Sequence, residues 1–407
     1  MVYTGNNSLA TAQNLNFSPR FGFSYSATPK TVVRGGFGIF FGGIESVGFF
    51  PNLGANPPFL FTSNLPSGAC SSTAGCPTNG ITLENGFNAA IASGLANYVS
   101  TPDLRMYPSN IQTPYTESFN LTVQQQITQD TTVTLSYVGA LGRHLTSNPK
   151  ANQIPTLLAP GANVQAARPF NQFGASSLES YSAVNNYNGG QATVEHRAAN
   201  GLYFLATYTF SKNLEDAFLP LGASGQSASG YRNWRQLGYG YDYGPSYADT
   251  RHRAVVNLQY DLPFGLGRKH MNKSHLADTF LGGWGLTTLF RVQSGQPQVV
   301  QPNNDPTNGS AQAQGIRIGD VNSTSLPNPG TGVTCAAKTG TVATWFNPCA
   351  FTNPPVAQDR TTSPLMEAMA ARWSTVPGTI AWICRSSRSS PFTTKRRLIF
   401  VRTCSMR

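Results

Sequence analysis

Charge is scarce in this chain. Only 11% of its 407 residues are Asp, Glu, Lys or Arg, against roughly 25% in ordinary soluble domains. No run of about 18 apolar residues occurs, so a transmembrane helix is excluded. Membrane strands escape that test, because each needs only about ten alternating residues. HExxH, GxSxG and the phosphate-binding GxxxxGK[ST] are all missing, and no constellation of side chains takes their place. We therefore expect neither an enzyme nor a bound cofactor. CxxC spacing is missing too, and no catalytic or metal-ligating residue can be named.

The basic excess of +11 is not spread evenly. Residues 358–407 hold nine Lys/Arg and two Asp/Glu, leaving only +4 on the other 357 residues. A tail property of this kind gives no reason to expect nucleic acid as a partner. Six cysteines are present: Cys70 and Cys76 lie in a Gly/Ser/Thr/Pro-rich stretch, Cys335 and Cys349 flank another, and Cys384 and Cys404 lie in the basic tail. The first four are close in sequence by pairs. That suits two local disulfides in an oxidising compartment better than free thiols or a metal site.

What is abundant is alternation. Between Tyr115 and Leu145, Phe119, Leu121, Val123 and Ile127 share one face, against Ser118, Asn120, Thr122, Gln124 and Gln126 on the other. After a turn at Gln129-Asp130 the pattern resumes, with Val133, Leu135, Tyr137 and Leu141 opposite Thr134 and Ser136. Period two over such lengths means strands with one apolar and one polar face. The polar face is uncharged Ser, Thr, Asn and Gln, a composition suited to a wet interior.

Three further hairpins follow the same rule. Phe17 to Phe41 turns at Ala27-Thr28-Pro29-Lys30; residues 179–198 pair with 201–214 across Ala199-Asn200-Gly201; residues 251–262 pair with 282–293 across a longer connection. Three of the four turns are short, whereas every link between hairpins exceeds about thirty residues. Short turns at one rim and long loops at the other are the asymmetry of an outer-membrane barrel. A soluble β-sandwich is the competitor, but its strands average about five or six residues and these are about twice that. The expected fold is all-β: part of a large antiparallel transmembrane β-barrel, with about eight recognisable strands, long extracellular loops and short periplasmic turns. A short helix is expected around residues 83–99. Such a protein needs a secretory leader, and MVYTGNNSLATAQN has neither a basic nor an apolar leader region. The chain is therefore expected to be a piece of a longer protein.

The segments PRFGFSYSATPKTVVRGGFGIFFG, ESFNLTVQQQI, GLYFLATYTFSKNLEDA, DTRHRAVVNLQYDLPFG, GGWGLTTLFRVQSGQP and WFNPCAF together resemble the C-terminal barrel half of Oar-like TonB-dependent receptors, over residues 16 to 356. That resemblance implies a barrel of about 22 strands with an N-terminal plug, placed in the Gram-negative outer membrane. It also implies outer-membrane lipid, an extracellular substrate of unknown identity and the TonB complex as partners, the last acting through a plug that this chain does not contain.

The domain boundary falls at the tail: residues 1–357 as partial barrel, residues 358–407 as an aberrant basic segment expected to be disordered. The family continues past this point with strands such as LDLSLFKNF and LQFRAEFFN, whereas this chain has no alternation there. Back-translating from about Leu365 and reading each codon from its third base yields a string close to the family's, so a frameshift near residues 358–365 is expected.

Other candidates are weaker. His144, His196, His252, His270 and His275 are scattered among strand ends and turns, with His144 and His252 beside Arg143, Arg251 and Arg253. A solvated rim accounts for them. The run Asn303-Asn304-Asp305-Pro306-Thr307-Asn308-Gly309 has Ca²⁺-type oxygens but no downstream Glu, and reads as a plain turn. Tyr181, Tyr187, Tyr231, Tyr239, Tyr241, Tyr243 and Tyr247 suit ligand stacking, an interfacial aromatic girdle or loop packing equally. Two functions follow from the resemblance and the loops: TonB-powered uptake of a large substrate, or surface adhesion with the barrel as anchor.

Overall fold

The computed structural model describes residues 11, 13, 15–42, 56, 101–147, 149–155, 163–198, 201–216, 243–246, 248–264, 269–270, 284–299, 316–328, 333–341, 344–352, 373–375, 379–388 and 400–406. They build one antiparallel sheet of eleven strands. Its ten principal strands are β1 (Arg20–Thr28), β2 (Thr31–Phe41), β3 (Tyr115–Gln126), β4 (Thr131–Ser147), β5 (Ser180–Arg197), β6 (Leu202–Glu215), β7 (His252–Asp261), β8 (Trp284–Gln293), β9 (Thr379–Arg388) and β10 (Phe400–Met406). Each pairs with its neighbours in chain order, and the short strand Gly244–Pro245 adds to β6.

The eight strands read from alternation are all present, with ends within about three residues of the expected ones. The turns at Pro29-Lys30 and 127–130 are tight. Gly201 has φ +86 and its amide bonds Ala198 O at 3.3 Å, a left-handed position that glycine takes without steric cost.

In the stretch 358–407 the described residues include strands β9 and β10, and β9 pairs with β8 over ten residues. The reason is physical: the free edge of β8 offers a row of N–H and C=O groups to any extended segment, whatever its side-chain pattern. The expected helix at 83–99 lies outside the described residues.

Burial in the sheet is inverted relative to a soluble protein. Phe23 is 57% exposed, Leu135 56% and Leu121 49%, although all three lie inside strands. Most buried apolar side chains lie instead outside the main sheet, at Ile111, Ile154, Ala336, Cys349, Ala350 and Phe351, with Tyr181 and Ala183 at the loopward end of β5. Among the described residues no second sheet covers the apolar face; the other ladders are two-stranded pieces. A sandwich would need such a cover. An apolar surface this large requires a non-aqueous neighbour.

Two lobes stand at the loopward rim. In the first, Arg105–Met106 pairs in parallel with Ser177–Leu178, joining the segment before β3 to the segment before β5. Asn152 is its hub, donating to Phe170 O, Phe173 O and Gly174 O at 2.8–3.0 Å. In the second, Ile316–Arg317 pairs with Phe351–Thr352, and a disulfide joins Cys335 to Cys349. The fully buried Asn347 accepts from the amides of Ala336 and Cys349 and donates to Ser323 O. Cys70 and Cys76 lie outside the described residues.

Candidate functional site

Directly paired residues of an antiparallel ladder share a face, so the registers sort every side chain. On β3 the apolar face runs Phe119, Leu121, Val123 between Glu117 and Gln125; on β5 it runs Gly190, Ala192, Val194 between Asn188 and His196. Both intervals are eight residues, roughly 27 Å along a strand. For strands tilted at 35–45° the height is about 20 Å, close to the roughly 25 Å apolar band of an outer-membrane wall.

Aromatic pairs gather where that band ends. Phe41 meets Tyr115 at 5.5 Å and Tyr115 meets His144 at 5.6 Å on the loopward side. Nearby, Phe210 meets His252 at 5.1 Å. On the turnward side His196 stacks on Phe204 at 5.3 Å and shares a 2.8 Å hydrogen bond with Thr131. His144, His196 and His252 therefore lie near strand ends. His270 sits in the β7–β8 connection, its amide bonding Pro263 O at 2.9 Å; His275 lies outside the described residues, as does the run 303–309. No group of three His, Cys, Asp or Glu able to hold a metal occurs among the described residues.

The opposite face carries a feature that single-strand patterning does not reveal. The registers align Ser24, Arg34, Thr122, Ser136, Gln191, Thr209, Arg253 and Gln293 in one unbroken row across β1 to β8. Every member bears a hydroxyl, an amide or a guanidinium. Thr122 and Ser136 share a hydrogen bond of 2.9 Å, and Arg34 donates to Gln124 in the next row at 2.9 Å. That next row includes Thr134, Thr193 and Thr207 in succession, the last two 3.2 Å apart.

Where this row crosses β5, β6 and β7, a cavity of about 250 Å³ opens. It is lined by Tyr187 and Gln191 of β5, Thr209, Ser211 and Asn213 of β6, Arg253 of β7, and the segment Ala248, Asp249, Thr250. Glycine makes the room: a Cβ at Gly189 would fall 2.7 Å from the Tyr187 hydroxyl, so the phenol lies along the strand. The wall at 248–250 is pinned in place. Asp249, 5% exposed, accepts from the Asn213 amide at 2.9 Å and meets Arg251 at 3.4 Å. Ser211 donates its hydroxyl to Thr250 O at 3.1 Å.

A second polar cluster lies at the loopward rim. Tyr181 donates to Glu179 at 2.5 Å, and its hydroxyl shares a 2.8 Å hydrogen bond with that of Tyr107. Glu179 is buried and, among the described residues, has no ion-pair partner and no hydrogen-bond partner for its second oxygen. Burial holds its carboxyl above the usual carboxylate range, against a smaller lowering by the Tyr181 O–H. On the same lobe burial lowers Arg168, opposed by the charge of Asp103.

Of the tyrosines singled out from sequence, Tyr187 lines the cavity, Tyr181 belongs to the rim cluster, and Tyr243 accepts from Asn186 at 2.6 Å. Tyr231, Tyr239, Tyr241 and Tyr247 lie outside the described residues. Sequence reasoning missed Gln191, Thr209, Asn213 and Arg253 as a group. The tight turn between β5 and β6 carried the signal, since it sets which polar-face residues meet; the non-periodic Asp249 carried none.

A family model described as outer membrane beta barrel domain matches residues 2–377. No curated protein matches. Among solved structures, the outer membrane transporter YddB from Escherichia coli is similar at TM-score 0.42 and 10% identity, over 96% of this chain and 36% of that one. The FrpB iron transporter from Neisseria meningitidis is similar at TM-score 0.38 and 7% identity, over 92% of this chain and 32% of that one. This chain therefore spans about a third of the length of either. The FpvAI–pyocin S2 complex is similar at TM-score 0.34 and 10% identity, over 74% of this chain and 26% of that one.

Proposed function

This chain belongs to the outer membrane beta barrel domain family, and from that premise we propose that it forms part of the wall of an outer-membrane uptake receptor of the Oar-like, TonB-dependent type. The observation that carries the reading is the two-sidedness of one sheet: an apolar band flanked by polar and aromatic residues, backed by an unbroken row of hydrogen-bonding side chains. The first face suits lipid. The second suits a hydrated passage, because water and solute can satisfy hydroxyl and amide groups that hydrocarbon cannot. An anchor for adhesion would need the apolar band, but nothing about adhesion calls for a continuous polar lining. In this reading the loopward rim faces outward and the tight turns face the periplasm. Energy comes through a plug and TonB, which the described residues do not supply.

The test is genetic. Deleting the gene in its host abolishes uptake of a substrate, and deleting TonB reproduces the defect. A deletion strain normal in uptake of all tested nutrients but unable to attach to surfaces overturns the proposal.

A further inference from the structure

We infer that the cavity at the crossing of β5, β6 and β7 is a subsite for one saccharide unit of a passing glycan, an assignment that rests on the uptake reading above.

The chemistry of the lining selects the class. A sugar ring presents an apolar C–H face and, around its edge, hydroxyls that both donate and accept. Recognition therefore needs an aromatic surface beside planar polar side chains with both capacities. Tyr187 supplies the ring, with the bare backbone of Gly189 beneath it. Gln191 and Asn213 supply amides that donate and accept, Thr209 a hydroxyl, and Arg253 a donor fork. A peptide would call for an edge strand or an apolar pocket, and neither is present at the cavity. A multiply charged anion would call for several cations, and among the described lining residues Arg253 is the one cation, with Asp249 also in the lining.

The bonding state of these groups is the second observation. Asp249 and Ser211 spend their side chains on the protein itself. The side chains of Tyr187, Gln191, Thr209 and Arg253 make no hydrogen bond among the described residues, and Asn213 Oδ1 is buried without a partner. The cavity thus has a braced wall and an unused set of donors and acceptors aimed at its contents. Its 250 Å³ is below the roughly 300–1,000 Å³ of sites for drug-sized molecules, a scale that fits one ring rather than a whole oligosaccharide.

The experiment uses the full chain folded in detergent micelles, with saturation-transfer NMR and calorimetry against maltotriose, xylotriose and chitotriose. Trialanine and inorganic phosphate serve as non-saccharide probes. At least one trisaccharide is expected to bind. Tyr187→Ala and Gln191→Ala each weaken that binding by about tenfold or more, the scale of losing one stacking or bidentate contact, while Tyr187→Phe, which keeps the ring, costs less. Tyr208→Ala, on the apolar face, leaves binding unchanged and controls for folding. Binding of none of the three sugars by folded protein overturns the inference, as does binding indifferent to Tyr187→Ala and Gln191→Ala. Phosphate or trialanine binding lost through the same variants also overturns it. Failure of the uptake reading looks different: the chain does not enter bilayers, or host deletion leaves uptake intact.

Discussion

The ring of Phe119 lies across Gly139, its directly paired residue on β4: a Cβ placed on that glycine would fall 2.2 Å from the ring carbons. The same relation recurs at the edge of the sheet, where Phe23 covers its partner Gly35 so closely that a Cβ there would fall 2.5 Å from the ring. Each glycine lets a large ring lie flat on the sheet instead of standing out from it. Gly139→Ala is therefore expected to displace the Phe119 ring and destabilise the sheet by about 1–3 kcal/mol, the usual cost of overpacking. Denaturant unfolding from lipid vesicles measures it. A companion change, Phe119→Leu, frees the space and is expected to recover most of the Gly139→Ala loss.

Neighbouring residues on β4 should respond oppositely to charge. Leu135 faces the apolar side in mid-band and Ser136 the polar side. Leu135→Arg is expected to cost about 2–4 kcal/mol of stability in a bilayer, the range for a cation at mid-depth on a lipid-facing wall. Ser136→Arg should cost well under 1 kcal/mol, because its guanidinium reaches water. Unfolding of both variants in the same vesicles is the measurement, and equal penalties would contradict the assignment of faces.

Glu179 makes the loopward lobe sensitive to pH. Its carboxyl is held above the ordinary value of about 4.3 chiefly by burial, so the folded lobe favours the neutral form. The lobe is thus most stable below that ordinary value and loses stability as pH rises through the raised one, because burial disfavours the ionised carboxyl more than the Tyr181 hydrogen bond supports it. Hydrogen exchange at residues 101–114, corrected for intrinsic rate, should quicken across that window. Glu179→Gln should flatten the response.

The Cys335–Cys349 bridge closes a loop of sequence separation 14. Chain-entropy arguments assign such a crosslink about 3 kcal/mol, and here that acts on the small lobe, whose one ladder among the described residues is Ile316–Arg317 with Phe351–Thr352. Reduction, or Cys335→Ser with Cys349→Ser, is expected to open residues 316–352 to proteolysis while the sheet stays intact. Simultaneous loss of the sheet would show that the lobe supports the wall.

Much of the wall was legible because a two-sided sheet writes its period into each strand. Phe119-Leu121-Val123 and Leu202-Phe204-Ala206 fixed their faces without help from the rest of the chain. The row from Ser24 to Gln293 was written there too, but in a form that needs register as well as period. Registers across β3–β4 and β5–β6 follow from tight turns, whereas those across β2–β3 and β4–β5 span long links with no local rule. The Glu179 cluster was illegible for another reason: Tyr107 and Tyr181 are 74 residues apart and meet only through the parallel pairing of two loops. The tail strands β9 and β10 follow from an open edge rather than from their own alternation.

The row of polar side chains has a mechanical consequence. It runs perpendicular to the strands, and strands in a closed barrel lean some 35–45° from the axis. In a closed barrel such a line would wind around the axis like a spiral staircase. Under the uptake reading proposed above, a solute handed from one hydroxyl to the next would revolve as it travelled, with the lean of the staves setting how far it turned for each ångström of progress.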